Sequence, residues 1–166
     1  MYDIMLFIHS WLRWAIIISL IIVLTRSTHG WFSRTAFQKS DKIWGGVLIG
    51  TIHLQILIGL FLYFDLSPIV RTALANMGFA MKSPVLRFWA VEHFISILIF
   101  AFIIQFGRII SKRAANDFLK HKRMAIAAWI GLLILVATLP WPFRKEVGRS
   151  LFADFPSRSQ LIANPE

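Results

Sequence analysis

Four apolar runs, each about 20 residues long, constrain this chain more than any other feature. They cover roughly residues 4–24, 44–64, 87–106 and 124–143, and all are rich in Ile, Leu, Val, Phe and Ala. A helix rising about 1.5 Å per residue crosses a 30 Å hydrocarbon layer in that length. The β-branched residues do not argue for strands. A segment in lipid must satisfy its own backbone, and these runs are too long for tilted barrel strands. Hydrophobic residues make up 57% of the 166, and mean hydropathy is +0.67, which leaves too little polar surface for a soluble domain of this size. The expected fold is all-α, a four-helix transmembrane bundle over residues 1–152 with a polar tail at 153–166.

Charge sets the expected topology. The connection after the first run carries Arg26, Arg34, Lys39 and Lys42. The connection after the third carries Arg108, Lys112, Arg113, Lys120, Lys122 and Arg123. These ten of the 18 basic residues lie on one side, against seven on the other, with Arg13 inside a run. Short basic connections stay in the cytoplasm, so both termini are expected on the non-cytoplasmic side. The net charge of +10 is thereby explained by topology, without nucleic acid. The first run lacks a basic leader and a small-residue cleavage site, so it is expected to persist as a helix. The longest connection, 65–86, is bounded by Pro68 and Pro84 and reads equally as a surface loop or as a short interfacial helix over 69–81. No cysteine is present, so thiolate metal sites, iron–sulfur clusters and covalent haem attachment are excluded.

Ionisable residues are costly inside a bilayer and usually have a partner and a task. Three runs carry a histidine: His9, His53 and His93. His9 lies 17 residues from Arg26, His93 15 from Arg108 and His53 11 from Lys42. His9 and His93 therefore fall at nearly one depth, with His53 roughly 6–9 Å deeper. Two imidazoles at one level on facing helices suit axial ligation of one iron. His9 with His93 is the first ligand pair for a single non-covalently bound b-type haem, and His53 with His93 the second. Two haems would need four membrane histidines. Arg13 and Arg87 are candidates to hold haem propionates through their planar forks, with a structural Arg13–Glu92 ion pair as the other reading of Arg13. Gly46, Gly50, His53 and Leu57 share one helical face, where small residues admit a flat ring or pack a neighbouring helix. Gln55 projects elsewhere and is expected to bond a neighbouring helix. His29 and His121 fall in basic connections and are expected to be solvated.

The order of motifs His9-Ser10-x-x-Arg13-Trp14, His53-x-Gln55, Leu60-x-x-Tyr63-Phe64, Arg87-Phe88-x-x-Val91-Glu92-His93 and Pro140-Trp141-Pro142-Phe143-Arg144 resembles a small family of bacterial four-helix membrane proteins carried under the name "cytochrome B". The resemblance covers residues 1–152. It implies an integral b-type cytochrome of the bacterial inner membrane, exchanging electrons with quinone or a respiratory partner complex. Two other readings stand beside it. One is a cofactor-free accessory subunit of a larger respiratory assembly, its histidines making helix–helix contacts. The other is a copper-handling protein, which needs all three membrane histidines within reach of one point.

Overall fold

The computed structural model describes residues 1–155; among them the fold is all-α, with no strand. The helices are α1 (Tyr2–Ser33), α2 (Lys39–Phe61), α3 (Pro68–Ala75), α4 (Met77–Ala80), α5 (Pro84–Arg87), α6 (His93–Lys112) and α7 (Asp117–Thr138). A π-helical turn, Leu62–Leu66, extends α2, and a second, Phe88–Glu92, joins α5 to α6. Four continuous helices are long and apolar enough to cross a membrane: Tyr2–Ser33, Lys39–Leu66, Pro84–Lys112 and Asp117–Thr138. The first three outrun the apolar stretches from which they were predicted, while the fourth starts earlier and stops at Thr138 rather than 143. The basic connections are short because polar residues at the helix ends continue the helices beyond the apolar stretches.

Local chemistry sets the ends. Asp41 in the first turn of α2 accepts the backbone N–H of Gln38 at 2.8 Å, the acidic half of a capping box. Arg34, just past α1, adopts the left-handed conformation that stops a helix (φ 52°). Ser67, Asn76 and Ser83 cap α3, α4 and α5 through their side-chain oxygens, with Pro68 and Pro84 in the first turns of α3 and α5. Of the two readings of the second connection, the helical one describes 68–80, broken at Asn76.

Two compact units form. One comprises Met1–Trp14, Leu54–Ile95 and Leu139–Glu166, of which 156–166, most of the expected polar tail, lie outside the described residues. Here Ala73, Ala80 and Ala90 form a small buried cluster under Leu86 and Val91, seating α3 and α4 on the second π turn. The two π turns are tied directly. Tyr63 in the first donates its hydroxyl to the carbonyl of Ala90 in the second at 2.8 Å. A π turn shifts the backbone bonding to i→i+5 and re-aims the residues that follow, and such turns recur at functional sites. His93 is the residue that closes the second one, its N–H bonded to the Phe88 carbonyl.

The other unit comprises Ala15–His53 and Ser96–Thr138. Close approach of α6 and α7 depends on small residues. A Cβ added at Gly107 would stand 2.1 Å from the Ala127 Cβ, and one at Gly131 would stand 2.6 Å from Ile104 Cδ1. Without a hydrophobic driving force in lipid, such intimate packing is what holds helices together. Polar ties add to it. Trp129 donates to Thr28 Oγ1 at 3.2 Å. Arg123 on α7 donates to the Ile110 carbonyl at 2.8 Å, one of the last-turn acceptors that α6 cannot satisfy itself.

Candidate functional site

The unit that contains both His9 and His93 also contains Arg13, Arg87 and Glu92. His9 lies within electrostatic reach of His93, Arg13 and Arg149. Its Nδ1 is buried and meets no hydrogen-bond partner among the described residues. Its ring lies against Gly59, where an added Cβ would come within 3.2 Å of Cε1. A side chain at 59 would press on the imidazole, which would have to give by a few tenths of an ångström even for alanine. The backbone carbonyl of His9 is held by Gln55, whose Nε2 donates at 3.0 Å, the interhelical bond expected of that side chain. A buried polar atom without a partner is costly, so the Nδ1 is a place where a ligand bond would be gained.

His93 sits among aromatic rings: Phe88 at 5.7 Å and Trp89 at 5.5 Å between centroids. Two arginines that the sequence reading passed over cover those rings. The Arg144 guanidinium lies 4.6 Å from the Phe88 centroid and that of Arg149 lies 4.7 Å from Trp89, both in cation–π range. Arg144 closes the Pro140–Arg144 motif, which entered the sequence reading through the resemblance, and Arg149 lies just beyond it. The chain folds back after it through Gly148, where a Cβ would fall 2.5 Å from the Arg144 carbonyl oxygen.

The predicted ion pair between Arg13 and Glu92 does not form. Glu92 is taken by Arg87, Nε to Oε1 at 2.6 Å, five residues away along the same span. Arg87 also donates to the Met81 carbonyl at 3.3 Å. The second π turn lies between Arg87 and Glu92, and it lets a pair five apart meet on one face. Arg13 instead donates through Nη2 to the Leu151 carbonyl at 2.6 Å, while its Nε is buried without a partner among the described residues.

Leu151 belongs to a strap. Trp14 donates to the same carbonyl at 3.0 Å and Trp11 to that of Ala153 at 3.1 Å. Phe152 stacks on Trp14 (5.3 Å, 15°), and Phe155 meets Phe7 edge-on at 5.3 Å. Residues 151–155 are thus fastened along the first turns of α1 on the side of Arg13. The tryptophans were visible in sequence; their partners, some 140 residues away, were not.

The remaining candidates fall elsewhere. His53 is exposed on α2 and belongs to the other unit, as do Gly46 and Gly50. The face shared by Gly50, His53 and Leu57 points outward, and nothing lies within 4 Å of a Cβ at Gly50. The flat group that approaches Gly46 is the Arg108 guanidinium, 3.3 Å from the position of an added Cβ. Among the described residues no three His, Asp or Glu side chains converge as metal ligands, which the copper reading requires. His121 corrects the expectation of a solvated residue. It is 2% exposed, because Gly30 leaves room for its ring and Phe37 covers it at 5.0 Å.

No protein family, curated protein or solved structure matches the chain. The class stated in plain terms is an all-α protein with four helices of membrane-spanning length.

Proposed function

We propose that the protein is a membrane electron carrier that binds one b-type haem between His9 and His93. The observation that carries this reading is the His9 ring: its Nδ1 is buried and unpartnered, it is cradled against Gly59, and it lies within electrostatic reach of His93. The residues fit the group. His9 and His93 would hold the iron, and Arg13, with a buried Nε still to be satisfied, would suit one propionate. Arg87 is already neutralised by Glu92, which makes it the weaker propionate partner. Exposed His53 is the weaker ligand. Held by these two imidazoles, such a haem would supply one-electron transfer. The chain's own residues would hold the site: Gln55 fixes the His9 backbone, the second π turn orients His93, and the strap holds Arg13 between Trp11 and Trp14 through the Leu151 carbonyl. The reading includes a bacterial inner-membrane location with both termini outside the cytoplasm, and a quinone or respiratory complex as redox partner.

The test is a dithionite-reduced minus air-oxidised visible spectrum of purified protein, with haem quantified as its pyridine adduct. One low-spin b haem per chain is expected, lost in His9→Ala and His93→Ala and kept in His53→Ala. A colourless protein, unchanged by added haemin, overturns the reading. The second reading, a cofactor-free accessory subunit, draws on the packing of His93 against Phe88 and Trp89, the contact a structural histidine makes.

A further inference from the structure

His121 has no part in that site. It belongs to the unit whose connections carry ten basic residues against two acidic ones, Asp41 and Asp117. It is almost fully buried, yet neither ring nitrogen meets a hydrogen-bond partner among the described residues. It lines an open cleft of about 420 Å³ together with Thr25, Arg26, His29, Thr35, Gln38 and Asp41.

The lining is donor-rich. Arg26 and His29 supply nitrogen donors, Thr35 and Gln38 supply further polar groups, and His121 borders the cleft with both ring nitrogens enclosed; the Thr25 hydroxyl already donates to the Ile21 carbonyl at 2.9 Å. Asp41 is the one carboxylate, and its charge is already engaged. Oδ1 accepts from Arg26 Nε at 2.7 Å and Oδ2 accepts from the Gln38 N–H at 2.8 Å. Arg26 also donates through Nη2 to Ser40 Oγ at 2.6 Å. The pair holds the guanidinium at the cleft edge and is itself neutral; the nine other basic residues of these connections, against Asp117, give the region its positive field. A buried imidazole without a hydrogen-bond partner is costly, and this one borders the cleft. Gly30 keeps the ring in place, because a Cβ there would lie 2.4 Å from it. A metal ion is a poor occupant, since no three ligating side chains converge among the described residues.

We infer that this cleft binds a phosphate group, as a free anion or as the headgroup of an anionic lipid. A phosphate offers several acceptor oxygens to a fixed set of N–H and O–H donors, and basic pockets between spanning helices bind such headgroups.

The test uses full-length protein in detergent. Its binding to nanodiscs containing phosphatidic acid is compared with binding to nanodiscs of phosphatidylcholine, with inorganic phosphate as competitor. Preferential binding to phosphatidic acid is expected. Competition by millimolar phosphate shows that the free anion suffices, and lipid preference without competition assigns the headgroup; both support the inference. His121→Phe and His29→Ala are expected to weaken binding about tenfold. Arg113→Gln, an exposed charge on the same basic side outside the cleft lining, should change it less than twofold. Diffuse attraction to the basic connections predicts the reverse order, because Arg113→Gln removes a full charge. That order, or equal binding to both lipids with no effect of phosphate, overturns the site. Circular dichroism checks the fold of each variant, and His29→Ala, on an exposed residue, keeps the test decisive if His121→Phe does not fold.

Discussion

Gly107→Ala offers the sharpest test of how α6 and α7 are held together. The new Cβ would stand 2.1 Å from the Ala127 Cβ. Carbon atoms in good contact lie about 3.5–4.0 Å apart, so the two helices must separate or rotate by about 1.5 Å. The obstacle is a methyl fixed directly to backbone, which has no rotamer to escape into. Neighbouring contacts stretch with it, including Gly131 against Ile104 and Phe100. Overpacking of this kind costs about 1–3 kcal/mol. Exchanging Gly for Ala inside a helix also gains up to about 1 kcal/mol of backbone propensity, which would mask part of the loss. Gly50→Ala provides the correction, because it has the same chemistry in a spanning helix with open space around the Cβ. The difference between the two variants isolates packing and should be about 1–3 kcal/mol against Gly107→Ala. Unfolding in mixed micelles, driven by rising SDS mole fraction and followed by circular dichroism, measures it. Equal stability of the two variants would refute the close packing of α6 on α7.

Three further outcomes follow from the other unit. Gly59→Leu should displace the His9 ring and abolish haem binding where Gly50→Leu does not, read from the same reduced-minus-oxidised spectrum; haem retained in both sinks the cradle. Tyr63→Phe removes the hydroxyl that joins the two π turns, and stability should fall by about 0.6 kcal/mol, the usual worth of an interhelical hydrogen bond in a membrane protein. Phe152→Ala or Gly148→Ala should release the strap from Trp11 and Trp14, raising trypsin cleavage at Arg149 and shifting tryptophan emission; an unchanged digest would show that the strap is not held by these contacts.

The apolar runs required helices, since each is long enough to span and too long to be left unbonded in lipid. Residues 4–24, 44–64, 87–106 and 124–143 therefore announced the four spanning helices without knowledge of their neighbours. Local signals were present but less decisive: Ser67-Pro68 and Ser83-Pro84 carry their caps within three residues, yet the connection read equally as loop or helix, while Gln55 announced an interhelical bond. What failed to be legible was partner choice. Glu92 went to Arg87 because a π turn changed which residues share a face, and no sequence period signals a π turn. The polar look of the segment around His121 suggested water, yet a glycine on α1 and the ring of Phe37 enclose it. The glycines at 46 and 50 looked equivalent at helical spacing. Only the packing separates Gly46 beneath Arg108 from Gly50 in open space, and moves the imidazole cradle to Gly59. Sequence by itself determined the elements, because backbone satisfaction and burial in lipid act locally along each run. Tertiary structure alone decided which side chains meet, because helix rotation and a single π turn turn faces by amounts that hydrophobic pattern cannot encode.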